Sequence, residues 1–359
     1  RHSFPTRRSS DLQGKVLKAF VDHQVAEADL KGTNGYGDDD IGREKLEAIY
    51  AQVFLTEDAL VRPQFVSGTH TLAVALDGNL LPGETLTYLT GMPYDTMQQV
   101  IGLAPKKRGT LIQKGINFSY VPLNEEGGVD YEEAEKVLKR DQPHIVVIQR
   151  SRGYDTRQSY TVDQIKEMTA FVKKVSPESL VFVDNCYGEF SEKHEPTEYG
   201  VDFMAGSLIK NAGGGIAQTG GYIVGKEELV ENAAIRLTAP GIGKEEGATL
   251  TNMHEFYEGF FLAPHTTGEA IKGMANHLKT TDSVIGIKDR VEFLDGLCDT
   301  MVTSVGLGRH ANMDVANAFK EVNRSNHSKF GENGEPILDN NLKLVKGPFY
   351  SKPELKSFV

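Results

Sequence analysis

The sequence is poor in cysteine, has fewer basic than acidic residues, and contains no long apolar run. Only two cysteines, Cys186 and Cys298, occur in 359 residues, which excludes a disulfide scaffold or a multi-cysteine zinc site and fits a reducing cytoplasm. The 39 basic residues face 50 acidic ones, a net charge of -11, so we expect no nucleic-acid partner. No segment approaches the roughly 20 apolar residues that span a bilayer. These absences predict a cytoplasmic protein without a membrane partner.

The pattern along the chain indicates an α/β fold with a mostly parallel sheet. Amphipathic segments predict helices at 17–30, 41–54, 131–139 and 162–174. Short apolar runs predict strands at 85–89, 117–121, 144–149, 180–184, 204–209 and 221–224. Alternating helices and nearly continuous apolar strands are typical of a sheet covered on both faces.

Two charged residues follow predicted strands and suggest a cofactor site. Asp184 ends one strand, and Lys210 follows the next, 210 - 184 = 26 residues later. Ligands of doubly wound folds bind at the carboxyl ends of strands, so both side chains would meet there. Pyridoxal phosphate needs a lysine for its Schiff base and an acid for its pyridine nitrogen. A helix N-cap for Asp184 and a solvated loop position for Lys210 are the ordinary alternatives.

A candidate phosphate site lies upstream, at Ser67, Gly68 and Thr69, where an apolar helical run begins. Helix N-termini bind phosphate through free N–H groups, although the same residues also form common capping turns. Ser207 could supply another hydroxyl group. Tyr94 could stack on the cofactor ring, and an ordinary core or surface position is the alternative.

Six segments together make the sequence similar to the methionine gamma-lyase family, whose members are often called aluminium-resistance or cystathionine beta-lyase-like proteins. They are residues 36–43 (YGDDDIGR), 62–70 (RPQFVSGTH), 149–154 (QRSRGY), 182–190 (FVDNCYGEF), 206–211 (GSLIKN) and 236–243 (RLTAPGIG). They agree with the family in order and spacing, and we place the resemblance over residues 13–272.

The resemblance implies a pyridoxal-phosphate enzyme of fold type I that releases a thiol from a sulfur amino acid. It makes Lys210 the Schiff-base lysine, Asp184 the pyridinium partner and Tyr94 the stacking ring. Ser67, Gly68, Thr69 and Ser207 would hold the phosphate, and no metal is expected. Tyr36 and Arg43 are candidates for contacts with the phosphate of a neighbouring subunit in a homo-oligomer, a tetramer in the family. Arg150 and Arg152 are either carboxylate or phosphate contacts or plain surface arginines.

Both ends of the sequence differ in character from the middle. Residues 2–12 resemble the translation of a common sequencing adapter in one continuous frame, so we expect residues 1–12 to be an artefact. After residue 273 the strand–helix rhythm stops, and we expect residues 273–359 to be an unrelated, helical tail joined between 273 and 290. That tail would replace the smaller C-terminal domain with which the family covers its substrate.

The tail resembles the C-terminal half of all-alpha NTP pyrophosphohydrolases. Glu292, Asp295 and Asp299 would share one face of a helix predicted at 290–305, which suits an oxygen-ligated metal. A solvated acidic face is the simpler interpretation, and the partner acidic motif is absent upstream. A pyrophosphohydrolase fragment and a catalytically inactive pyridoxal-phosphate-binding protein are therefore the alternatives to a lyase.

Overall fold

The computed structural model describes residues 4–104, 108–153, 157–249, 253–282, 286–287, 320–321, 324–325 and 350–354. The chain forms two compact units, Arg1–Lys272 and Gly273–Val359. Within the second unit, a two-stranded antiparallel pair joins Thr281–Asp282 and Gly286–Ile287. The other strands that the structure describes belong to the first unit.

A seven-stranded mixed sheet forms the centre of the first unit. Its strands are β1 (Asp58–Arg62), β2 (Thr85–Tyr88), β3 (Asn117–Tyr120), β4 (Ile145–Gln149), β5 (Leu180–Asp184), β6 (Phe203–Ser207) and β7 (Gly221–Gly225). Their order across the sheet is β1-β7-β6-β5-β4-β2-β3. The pairs from β3 to β6 are parallel, whereas β7 runs antiparallel to both β6 and β1. The carboxyl ends of β4, β5 and β6 therefore meet at one edge.

Helices cover both faces of this sheet. They are α1 (Phe4–Asp22), α2 (Ile41–Phe54), α3 (Gly68–Gly78), α4 (Asp95–Ile101), α5 (Tyr131–Asp141), α6 (Val162–Val175), α7 (Glu227–Leu237) and α8 (His254–Thr280). Short 3-10 helices occur at Glu27–Leu30, Ile112–Lys114, Pro196–Tyr199 and Asn211–Gly213. Local sequence explains several starts, because Asp40, Ser67, Asp130 and Thr161 cap their helices with side-chain oxygens.

Alternating residues of the strands divide the core into two layers. Val146 and Val183 face the layer that α1, α2, α5, α6 and α8 cover. Val147 and Phe182 face the other layer, with α3, α4 and α7. This pattern follows from the period of two along a strand. The predicted α/β class with a sheet covered on both faces is confirmed.

The ends of several elements differ from the predicted ones. Helix α2 has the predicted bounds, but the helix predicted at 17–30 divides into α1 and a 3-10 turn. Helix α1 also takes in residues 4–12, and Leu12 is buried in the core. The helix predicted at 290–305 lies outside the described residues. Within the described residues, no helix is long and apolar enough to cross a membrane.

Candidate active site

Polar residues end three neighbouring strands at the carboxyl edge of the sheet. Gln149 on β4 pairs in register with Asp184 on β5, and Asp184 pairs with Ala205 on β6. Ser207 ends β6. The sheet thus brings together residues that are far apart in sequence, at the place where open α/β folds bind ligands.

Asp184 is a buried carboxyl at the centre of this edge. Its Oδ1 accepts a hydrogen bond from the backbone N–H of Cys186, over 3.1 Å. Burial raises the pKa of Asp184, and the hydrogen bonds from Cys186 and the charges of Lys210 and Arg157 only partly oppose that rise. A cationic group placed beside Asp184 would stabilise its negative charge, so the site favours a cationic ligand atom.

Lys210 follows β6 and lies half-buried beside Asp184, near enough for each charge to change the pKa of the other. Burial acts to lower the pKa of Lys210, but its interactions with Cys186, Tyr187 and Asp184 outweigh burial and raise it. The ammonium Nζ lies 4.1 Å from the centre of the Tyr187 ring. As predicted, the structure places Lys210 and Asp184 together at this edge of the sheet.

The N-terminus of α3 reaches the same edge. Ser67 caps α3, accepting at Oγ from the backbone N–H of His70 over 3.1 Å. A β-carbon added to Gly68 would lie 3.1 Å from Cβ of Ser207 and 3.7 Å from Sγ of Cys186. The hydroxyl of Ser207 is buried and has no hydrogen-bond partner among the described residues. Free N–H groups of a helix start and an unpaired hydroxyl form a site for an anion.

Tyr94 joins α3 to the strand ends. Its hydroxyl lies 3.1 Å from Oγ1 of Thr69, and its backbone N–H donates to Oε1 of Gln149 over 3.3 Å. Burial, helped by the nearby charge of Asp184, raises the pKa of the Tyr94 phenol. The phenol is therefore neutral at physiological pH, and its hydroxyl reaches Thr69 at the start of α3.

Sequence reasoning assigned no role to several residues that the structure places at this edge. Cys186 is buried, and burial with the charge of Asp184 raises the pKa of its thiol well above the usual value. Tyr187 contacts Lys210, and Asn211 binds the loop that carries Tyr187. Their position inside the segments 182–190 and 206–211 was the available signal. Only the fold shows what they touch.

Comparison with known proteins identifies the family. A family model described as methionine gamma-lyase matches residues 5–319. The chain belongs to the methionine gamma-lyase family.

Two relatives illustrate how closely this methionine gamma-lyase family member follows known proteins. A 33.9 kDa protein of Lactobacillus delbrueckii subsp. bulgaricus, from the glnA 5' region, is 99% identical over 183 residues, which is 51% of this chain and 60% of that protein. A carbon-sulfur lyase involved in aluminium resistance from Clostridium novyi is 48% identical, with a TM-score of 0.72, over 75% of this chain and 64% of that one. The chain matches less than two thirds of the length of either relative.

A more distant structure shows the fold alone. The pyridoxal-5'-phosphate dependent protein YhfS from Escherichia coli is 16% identical, with a TM-score of 0.58, over 78% of this chain and 69% of that one. Together with the mostly parallel sheet, this likeness gives the family member a fold of the pyridoxal-phosphate fold type I class, as predicted.

Tyr36 and Arg43 lie in a separate region of the chain. The Tyr36 side chain is 76% exposed. Arg43 is fully buried, and its guanidinium donates to the carbonyls of Gly37, Glu245 and Gly247 over 2.8 to 3.0 Å. Arg43 therefore fixes the loop beside Tyr36. The contact of both residues with a neighbouring subunit stays a prediction.

Arg150 and Arg152 differ in their surroundings. Arg150 is buried and donates to Oδ1 of Asn185 over 2.7 Å and to Oε1 of Glu192 over 2.7 Å. These bonds tie the end of β4 to the loop after β5. Arg150 is therefore not a surface arginine, and its guanidinium is already bound within the protein rather than free to contact the carboxylate of a ligand. Arg152 is exposed.

The family match covers more of the chain than the sequence motifs did. The family match begins within the predicted artefact and continues to residue 319, past the 13–272 that the sequence motifs covered. It includes Glu292, Asp295 and Asp299, which lie outside the described residues, and no comparison supports the resemblance to a pyrophosphohydrolase. The unrelated origin of residues 273–359 stays a prediction.

Proposed function

We propose that this chain is a pyridoxal-phosphate-dependent carbon–sulfur lyase that releases a thiol from a sulfur amino acid. The observation that carries the proposal is the meeting of Lys210, Asp184 and the anion site of α3 at one edge of the sheet. A primary amine, a buried carboxyl and a phosphate site are the three groups that this cofactor requires. Membership of the methionine gamma-lyase family supports the same reaction.

The described residues fit the cofactor. The unpaired hydroxyl of Ser207 and the first N–H groups of α3 suit its phosphate. Asp184 suits its ring nitrogen, since a cation beside this carboxyl offsets the cost of burying its charge. Lys210 supplies the amine for covalent attachment, and the Tyr94 ring suits a stacking contact. When bound, pyridoxal phosphate supplies a sink for the electrons of the bond that breaks.

The residues of the chain have distinct tasks in the proposed reaction. Lys210 would take the proton from the α-carbon of the substrate at Nζ, and its raised pKa favours the form that holds this proton. Asp184 would hold the pyridine nitrogen of the bound cofactor in its protonated form. Tyr94 keeps its own proton at neutral pH and excludes water from one side of the site. The thiol leaves from the β- or γ-carbon.

The substrate class is a methionine, cystathionine or cysteine type of amino acid. The Clostridium novyi relative, a carbon-sulfur lyase, supports this class. We further propose a homo-oligomer in which Tyr36 approaches the site of a neighbouring subunit, because its side chain is exposed on a loop that Arg43 fixes.

Thiol release by the full chain tests the lyase proposal. The protein loaded with pyridoxal phosphate should release a thiol from cysteine, cystathionine or methionine, and Lys210→Ala should abolish this release. Lys226→Ala is the matched control, since Lys226 also follows a strand but is exposed and pairs with Asp202, away from the site. Cofactor binding without release of any thiol would support the inactive binding protein instead, and equal activity in Lys210→Ala would remove Lys210 from the mechanism.

A further inference from the structure

The loop that follows β5 places an aromatic ring beside Lys210. Nζ of Lys210 lies 4.1 Å from the centre of the Tyr187 ring, which is within the range of a cation–π contact. Tyr187 has a φ of 68°. A bulky residue rarely adopts this left-handed conformation, so surrounding contacts must hold it there.

Asn211, the neighbour of Lys210, supplies those contacts. Its Nδ2 donates to the carbonyl of Tyr187 over 3.0 Å and to the carbonyl of Glu189 over 3.1 Å. On the other side, the backbone N–H of Gly188 donates to the carbonyl of Asn185 over 2.7 Å. The loop of Tyr187 is therefore tied to the residue that follows Lys210, and the ring and the ammonium are held together by the fold.

We propose that Tyr187 is a positioning residue for Lys210, whose ring face holds the Lys210 ammonium whenever this amine is not covalently engaged. The inference rests on the proposed function in that Lys210 is the attachment lysine. A ring face attracts the ammonium and not the neutral amine, so Tyr187 stabilises the protonated form. The other titratable groups that face Lys210 are Asp184 and Cys186.

This role has a consequence for the order of events at the site. After Lys210 has taken a proton from a substrate, the ring gives the ammonium a fixed place near Asp184 until the proton is passed on. Tyr187 is 62% exposed, so its ring lines the open side of the edge rather than the core. Its removal changes the surroundings of Lys210 without opening a cavity.

Acylation of individual lysines in the full chain, freed of cofactor, tests the role without substrate or turnover. The protein is treated with acetic anhydride at a series of pH values, and mass spectrometry gives the rate at each lysine. In Tyr187→Leu we expect the Lys210 rate near neutral pH to rise about two- to fivefold, and the midpoint of its pH profile to fall by about 0.3 to 0.7. Tyr187→Phe, which keeps the ring, should retain the native midpoint.

Controls separate a lost cation–π contact from greater access. Greater access raises the limiting rate at high pH but leaves the midpoint in place. Tyr199→Leu removes a similar contact, in which Nζ of Lys166 lies 4.8 Å from the centre of the Tyr199 ring. It should change the midpoint of the acylation profile of Lys166 but not that of Lys210. Asn211→Ala should move the Lys210 midpoint in the same direction as Tyr187→Leu.

An unchanged Lys210 midpoint in Tyr187→Leu, with a native thermal transition, would overturn the role of Tyr187. Failure of the proposed function gives a different result, in which borohydride fixes pyridoxal phosphate to another lysine while the Lys210 midpoint still responds to Tyr187→Leu. Each result is thus assigned to one claim.

Discussion

At the scale of single residues, Asp184 combines full burial with an ionisable carboxyl. Burial raises its pKa, so the carboxyl needs a cationic partner to hold its charge. Asp184→Asn keeps the shape but cannot hold a proton on a ring nitrogen. Because loss of one partner of a buried pair costs about 3 to 5 kcal/mol, we expect kcat to fall by at least about 100-fold. Steady-state kinetics check this, with Asp202→Asn, a buried acid away from the edge, as the control.

Glu189 is a second buried carboxyl, and it predicts how stability depends on pH. Burial raises the pKa of Glu189 to about 8, although a hydrogen bond of 2.7 Å from the hydroxyl of Tyr222 to its Oε1 acts to lower it. Between its ordinary pKa of 4.5 and about 8, the folded protein holds a proton that the unfolded chain has lost. Since the native state then binds more protons, the free energy of unfolding falls as pH rises through this window.

Glu189→Gln should remove that fall. The native protein should lose up to about 1.4 kcal/mol of unfolding free energy per pH unit from this group, and Glu189→Gln should be the more stable protein near pH 8. Urea denaturation at about pH 6 and about pH 8.5 measures the difference. Glu198→Gln is the control, because His194 lowers the pKa of Glu198 despite partial burial. An equal change in the free energy of unfolding between the two pH values for Glu189→Gln and the native protein would contradict this prediction.

The sequence predicted a site at Asp184 and Lys210 because Asp184 ends one strong strand pattern and Lys210 follows the next. It could not show that Arg43 and Arg150 are buried. Their acceptors are carbonyls and side chains far along the chain, such as Gly247 for Arg43 and Glu192 for Arg150. An arginine looks like a surface residue until the fold supplies acceptors for its five donors.

At the scale of elements, the start of α3 carries the proposed anion site. A β-carbon on Gly68 would crowd Ser207 at 3.1 Å, so Gly68→Ala should weaken cofactor binding by about tenfold or more. Gly14→Ala is the control, because the same change on α1 meets no atom within 4 Å. Titration of the cofactor absorbance measures both. Equal affinity in Gly68→Ala and Gly14→Ala would place the phosphate elsewhere.

The strand patterns predicted six of the seven strands of the sheet to within two residues at each end, including the largely exposed strand β3. All residues of β4 and β6 are buried, and both strands lie close to their predicted bounds. Strand β1 was not predicted, because five residues between two helices give little periodic signal in the sequence. The antiparallel direction of β7 was also beyond the sequence, since burial on both faces looks the same in either direction.

At the scale of the whole molecule, oligomerisation stays a prediction with a direct check. We expect a homo-oligomer, with a tetramer implied by the family, and size-exclusion chromatography with light scattering gives the mass. In a homo-oligomer, Tyr36→Ala should weaken cofactor binding about tenfold, through loss of one hydrogen bond to a charged group, without altering the fold of the subunit. A monomer with native cofactor affinity in Tyr36→Ala would contradict both expectations.

The attachment of pyridoxal phosphate to Lys210 is the central claim, and covalent trapping tests it most directly. The full chain is incubated with pyridoxal phosphate, reduced with borohydride, digested, and read by mass spectrometry. We predict a pyridoxyl group on the peptide that contains Lys210, lost in Lys210→Ala and kept in Lys226→Ala. A label confined to any other lysine, or no label at saturating cofactor, would contradict the account.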